Sequence, residues 1–265
     1  MMQRIDTISY TNKLRAVSPL WKSGLAALLF VLAYAAHPVV QLAIGAWMSL
    51  WIIGYARIPA RFYLMLLGSS CLFYMASLPA LLVQLTPAGQ AADGASLLIQ
   101  YTAGGWTAYV TESGLETALT LLVRIAACLS CMFFVTLTTP MPDLFQVMGK
   151  LKLPPLLLEL MLIMYRFIFL LSQTARDMYT AQRARGGQAG FKGRLNDTAL
   201  LIVRIFGKTM QRYRGLSFGL MARGFTGDIR MAPYEPKGIS FRYKAESGAG
   251  VLLLLLLELW LRWRG

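Results

Sequence analysis

Apolar and polar positions along this chain come in long blocks, not in the period of two that marks exposed strands. Apolar runs of helical length occupy Leu20 to Ala36, Val39 to Tyr55, Phe62 to Gln84, Leu115 to Leu137 and Gly248 to Trp263. A bilayer core of roughly 30 Å takes about 20 helical residues, so each run reads as a membrane span. Pro38 lies between the first two runs, and Pro59, flanked by Arg57 and Arg61, between the second and third. Residues of this kind break helices at turns.

A sixth apolar run, Leu156 to Leu171, does not fit that scheme. Arg4, Lys13 and Arg15 precede the first span and Lys22 lies at its start, while Leu85 to Gly114 has no Lys or Arg. Basic residues collect on the cytoplasmic side, so the N-terminus is expected inside and that loop outside. Counting the sixth run as a span would put Ser172 to Ser247 outside, with fourteen Lys and Arg against five Asp and Glu. Glu159 and Arg166, within the run, would each cost about 3 kcal/mol at the bilayer centre. The expected fold is therefore an all-α polytopic membrane protein. It has about five full spans, helices at the cytoplasmic face and an outside C-terminus. Its expected parts are a four-span bundle over 1–137, cytoplasmic helices over 138–246 and a C-terminal transmembrane helix over 247–265.

Within the cytoplasmic part, Pro142 to Lys150 reads as a short amphipathic helix, with Leu144, Phe145, Met148 and Leu151 on its apolar side. A long helix is expected from Pro155 through Tyr165 and Arg176 to Arg185, stopped by Gly186 and Gly187. In a second one, Leu195, Ala199, Ile202, Phe206, Met210, Tyr213, Ser217 and Leu220 recur at steps of three or four. They form an apolar stripe, and Arg204, Lys208 and Arg212 form another face. Ile202, Phe206 and Met210 are the candidate contact for a membrane partner, because such a stripe is covered by protein or lipid.

Composition agrees with a membrane as solvent: 57% hydrophobic residues against 14% charged, and a mean hydropathy of +0.54. The net charge of +14 is clustered beside apolar runs, which favours an anionic membrane surface over nucleic acid. Cys71, Cys128 and Cys131 all sit in apolar stretches, so no secreted disulfide framework is expected. Met1 to Lys22 lacks the order of a cleaved signal peptide.

Ala-Arg-Gly occurs twice, as Ala184-Arg185-Gly186 and Ala222-Arg223-Gly224, each at an expected helix end. One copy is ordinary capping chemistry, a basic residue before a glycine stop. Two copies on consecutive helices would present two guanidiniums, each with five donors in a fixed fork, to two equivalent acceptor pockets.

Five motifs together carry a family resemblance: DTISYTNKLRAVSP at Asp6 to Pro19, LTTP at Leu137 to Pro140, ELMLIMYRFIF at Glu159 to Phe169, AQRARG at Ala181 to Gly186 and MARGFTGDIR at Met221 to Arg230. Along almost its whole length the chain resembles the T component of an energy-coupling factor transporter, the CbiQ-like subunit of cobalt uptake systems. The resemblance implies a non-catalytic coupling subunit of an ATP-driven cobalt importer in a bacterial inner membrane. Its partners would be two cytoplasmic CbiO-like ATPases, a metal-capturing CbiM-like membrane subunit and a small N subunit. The ATPase-docking arginines would be Arg185 and Arg223, and the chain would hold no metal or cofactor itself. The alternatives are a T component serving nickel or a vitamin, and a self-contained channel or secondary carrier.

Other chemistry lacks its parts. Gly207-Lys208-Thr209 resembles the end of a phosphate-binding loop, but Ile202 stands where the required first glycine belongs. Cys128 and Cys131 have no second pair to complete a tetrahedral metal site. His37 is the one histidine, which excludes a Ser-His-Asp arrangement unless it serves. The methionines are spread through apolar positions and read as packing. Arg124, inside the fourth span, is either structural or a contact to another subunit.

Overall fold

The computed structural model describes residues 2–82, 84–87, 97–103, 106–186, 190–224 and 238–264. Nine helices are among them: α1 (Met2–Thr11), α2 (Pro19–Ala35), α3 (Pro38–Leu50), α4 (Ala60–Leu82), α5 (Glu112–Thr138), α6 (Met141–Lys150), α7 (Pro155–Ala184), α8 (Gly190–Ala222) and α9 (Phe241–Arg264). Proline opens α2, α3 and α7, where its missing N–H removes no intrahelical bond. The end of α3 continues as a π-turn over Trp51–Tyr55. Gly187 and the Phe225 to Arg230 part of the last motif lie outside the described residues.

Helices α3 with its π-turn, α4, α5 and α7 have the length and apolarity to cross a membrane, and α2 is a shorter apolar helix of 17 residues. The fold is thus that of a polytopic α-helical membrane protein. Helix α7, expected at the cytoplasmic face and not as a full span, thus qualifies by length and apolarity. Helix α9, expected as a full span, is not among the helices that qualify; its apolar run carries Glu258 and Arg262, and Arg262 Nε donates to Glu258 Oε1 at 2.8 Å.

Two features differ from the sequence expectation. Helix α1 forms in a segment read only as polar, and it does so by burying Ser9 and half-burying Ile5 and Ile8 against the core. Gln84, expected in the third span, begins a small antiparallel sheet of β1 (Gln84–Pro87), β2 (Leu97–Ala103) and β3 (Trp106–Thr111), in the order β1-β3-β2. Its register pairs Gln84 with Tyr109 and Tyr101 with Ala108. The β-branched and aromatic residues of LLIQYTA and WTAYVT suit a pleated surface better than a helix.

The chain divides into two compact units, Met1–Leu144 with Pro236–Gly265, and Phe145–Glu235. The first is built on Trp51, fully buried at the π-turn. Tyr55 stacks on it at 4.4 Å between centroids, and Trp21, Phe134 and Tyr243 meet it at 5.7, 6.5 and 6.1 Å. One indole thus joins α2, α5 and α9 to the end of α3. The C-terminal helix is fastened at both ends as well. Tyr55 donates its hydroxyl to Glu246 at 2.6 Å. At the far end Glu258 accepts from the His37 N–H at 3.0 Å and lies 3.2 Å from its Nδ1, while Arg262 donates to the Ala35 carbonyl. His37 is therefore engaged in holding α9 antiparallel to α3.

A buried lysine closes the opposite end of the first unit. Lys22 is fully buried in the first turn of α2, and its Nζ donates to the carbonyls of Thr138 at 2.7 Å and Leu14 at 3.3 Å. Asn12 Nδ2 donates to Leu137 and Thr138. The last carbonyls of a helix have no intrahelical donors and carry the negative end of its dipole, so a cation and an amide at the end of α5 answer both. These contacts join two of the motifs read in the sequence, the Asp6 to Pro19 stretch and LTTP.

Two outcomes are expected in detergent. Lys22→Met keeps the chain length of the side chain but strips the donor from buried carbonyls, which lowers stability by about 1–3 kcal/mol, read by thermal unfolding. Gly250→Ala would set a Cβ 2.7 Å from Trp47 Cε2, and overpacking of this kind costs about 1–3 kcal/mol. Gly68→Ala, with nothing within 4 Å, serves as the control and leaves the melting temperature unlowered.

Candidate docking site

Both Ala-Arg-Gly tripeptides terminate helices, and they do so by the same local geometry. At the end of α7 the N–H of Arg185 bonds the Gln182 carbonyl and that of Gly186 the Arg183 carbonyl, both at 3.1 Å. At the end of α8 the N–H of Arg223 bonds Leu220 and that of Gly224 bonds Met221, again at 3.1 Å. Gly186 and Gly224 then take φ of +77° and +73°, the left-handed conformation that favours glycine. Ala184 and Ala222 are the last helical residues.

Each tightened turn throws its arginine outward. Arg185 and Arg223 are exposed, as are the alanine and glycine beside each. Among the described residues neither guanidinium has an ion pair or a side-chain hydrogen bond. Small neighbours leave the fork open to a close approach by carboxylates or carbonyls.

The second unit sets these ends apart. Gln182 of α7 donates to the Asp197 carbonyl of α8 at 3.1 Å. Leu162 and Leu170 of α7 share a groove with Leu220 and Arg212 of α8. The two helices are therefore antiparallel, and Arg185 and Arg223 lie at opposite ends of the pair. At about 1.5 Å per residue, the length of α8 from Asp197 to Arg223 separates them by roughly 40 Å. The geometry sets the two tripeptides apart on one body and does not bring them into one site.

From Leu195 to Tyr213 the apolar stripe of α8 is exposed. Half-burial on α8 falls on Gly193, Asp197, Leu201, Ile205, Thr209, Arg212, Leu216, Ser217 and Leu220, about one residue out of step with the stripe until the two meet at Ser217 and Leu220. Ile202, Phe206 and Met210 stay 63%, 64% and 41% exposed, and α8 has no buried residue at all. An exposed apolar face of this extent marks an interaction surface. Arg204 and Arg212, expected on a separate polar face, instead line hollows shared with α7. Arg204 lies with Arg185, Met178 and Leu201 around a small cavity of about 90 Å³. The steps of three or four from Leu201 through Arg212 to Leu220 were the available signal for this face, but the more apolar stripe outweighed it.

The remaining candidates take structural places. Gly207, Lys208 and Thr209 lie within α8, and the Thr209 hydroxyl donates to the Ile205 carbonyl at 2.7 Å. Cys128 and Cys131 are one helical turn apart in α5 and unpaired. Among the described residues no three His, Cys, Asp or Glu side chains gather in one place. Arg124 sets its guanidinium 5.7 Å from the ring centroid of Tyr34, a cation–π contact from α5 to α2.

Comparison with known proteins gives this architecture a family. The chain is 32% identical over 181 residues to the cobalt transport protein CbiQ of Rhodobacter capsulatus, spanning 68% of this chain and 67% of that one. It is 24% identical over 233 residues to the cobalt transport protein CbiQ of Salmonella typhimurium, covering 87% of this chain and all of that one. A protein of Methanocorpusculum labreanum named as a fused cobalt transport protein, CbiMQ, is 27% identical over 233 residues, which is 38% of its length. The family model for CbiQ, cobalt transport protein, matches residues 11–234, and the chain belongs to that family.

Proposed function

We propose that this chain is the membrane-embedded coupling subunit of an ATP-driven cobalt importer, non-catalytic itself, with its N-terminus in the cytoplasm of a bacterial cell. The observation that carries this reading is the pair of matched helix ends. Two exposed arginines, without an ion pair among the described residues, sit on matching caps at opposite ends of one antiparallel helix pair. Two like acceptors on two copies of one ATPase subunit meet this demand, whereas one substrate does not. Docked there, Arg185 and Arg223 hand the opening and closing of the ATPase pair to α7 and α8 as rigid elements.

The exposed face of Ile202, Phe206 and Met210 is then the contact for the metal-capturing subunit. The fused CbiMQ relative supports a partner of CbiM type, since one chain there carries both names. Ion choice belongs to that subunit, with the small N subunit beside it.

The double variant Arg185→Glu and Arg223→Glu is expected to insert in the membrane and to lose both ATPase co-purification and cobalt uptake. Either arginine replaced singly by Ala gives a partial defect. Uptake by the purified chain alone, without ATPases, would instead identify a self-contained carrier. Ile202→Glu with Phe206→Glu is expected to release the capture subunit while keeping the ATPases, read by affinity co-purification. Retention of the capture subunit by that variant overturns its assignment to the face.

A further inference from the structure

Helices α7 and α8 enclose an apolar groove of about 420 Å³ whose wall carries two arginines, Arg166 and Arg212. Leu162, Phe167, Leu216 and Leu220 make up most of the rest, and all four are only half-buried. Among the described residues neither guanidinium has an ion pair or a side-chain hydrogen bond. Arg166 is exposed and Arg212 half-buried, so two cations that pair with no described carboxylate stand on the rim of an apolar trough.

We propose that this groove holds one anionic phospholipid, its phosphate bound by Arg166 and Arg212 and its acyl chain laid along Leu162, Phe167, Leu216 and Leu220. The ligand has to be an anion with an apolar body, because the two halves of the groove ask for each. A guanidinium fork donates two parallel hydrogen bonds to a phosphate. The apolar part of the wall, Leu162, Phe167, Leu216 and Leu220, offers a hydrocarbon chain a surface of its own kind. The surroundings supply the ligand: α7 is apolar enough to lie in a membrane, and basic residues outnumber acidic ones around it. Anionic lipids gather where such charge meets the bilayer. The inference does not depend on what Arg185 and Arg223 bind.

Native mass spectrometry of the full chain, titrated in detergent with phosphatidylglycerol or phosphatidylcholine, tests it. The wild-type chain is expected to retain one phosphatidylglycerol and to prefer it over phosphatidylcholine. Arg166→Gln with Arg212→Gln should lower its retention roughly tenfold or more, to the level of phosphatidylcholine. Arg214→Gln, an exposed arginine off the groove, should leave it unchanged. Leu216→Trp keeps both charges but fills the trough, and it too should release the lipid. Thermal unfolding establishes that each variant is folded. Equal retention of both lipids, or equal loss in Arg214→Gln, overturns the site. So does a double variant that keeps phosphatidylglycerol and loses a co-purifying protein subunit, since the groove would then belong to a protein.

Discussion

The ammonium of Lys22, fully buried among backbone carbonyls, is the contact on which the first unit turns. A charge in that position costs far more than a neutral group unless oxygen atoms surround it, and the end of α5 provides them. The lysine fixes where α5 stops, how α2 starts and where the turn at Leu14 runs, and Asn12 adds a second donor from the segment before it. Fourteen residues of N-terminal chain that look unremarkable as a pattern thereby become the floor beneath the helical bundle. The aromatic cluster around Trp51 provides the non-directional part of the packing, and Lys22 provides the direction.

The second unit is organised by a different economy. Helix α8 buries nothing fully and leaves its most apolar face open, so it cannot be explained as part of a self-sufficient core. Its partner within the chain is one side of α7, through a seam that mixes leucines with arginines. A helix pair of this kind makes sense as a component whose remaining surfaces are completed by other molecules. Membership of a cobalt transport family fits a chain that works as part of a larger machine.

Much of this was legible in the sequence, and the reasons differ from element to element. Long apolar runs gave the helices α2 to α5 within a few residues, because helix length and bilayer thickness are tied by simple geometry, whereas α7 qualifies as a span and α9 does not, the reverse of the expectation. The double Ala-Arg-Gly pointed to two equivalent helix ends, and the left-handed glycines at 186 and 224 have the conformation that spacing implies. Hidden from the pattern were the contacts made by single polar atoms. Lys22 reads as one more positive-inside charge, His37 as a lone imidazole, and Glu258 as an interruption in a leucine run, until their partners are known. The facing of α8 was also masked, since the periodicity finds an apolar face without saying whether the chain itself covers it.

The attachment of α9 has a consequence for how the molecule is made. The first unit is discontinuous: its final helix follows the whole of the second unit in the chain. Glu246 and Glu258 reach Tyr55 and His37 only after residues 145–235 have left the ribosome. Synthesis therefore passes through a stage at which the earlier helices are complete but their last neighbour is missing, with the surface of α3 that receives it open. The docking of α9 on that surface is the event that ends its exposure.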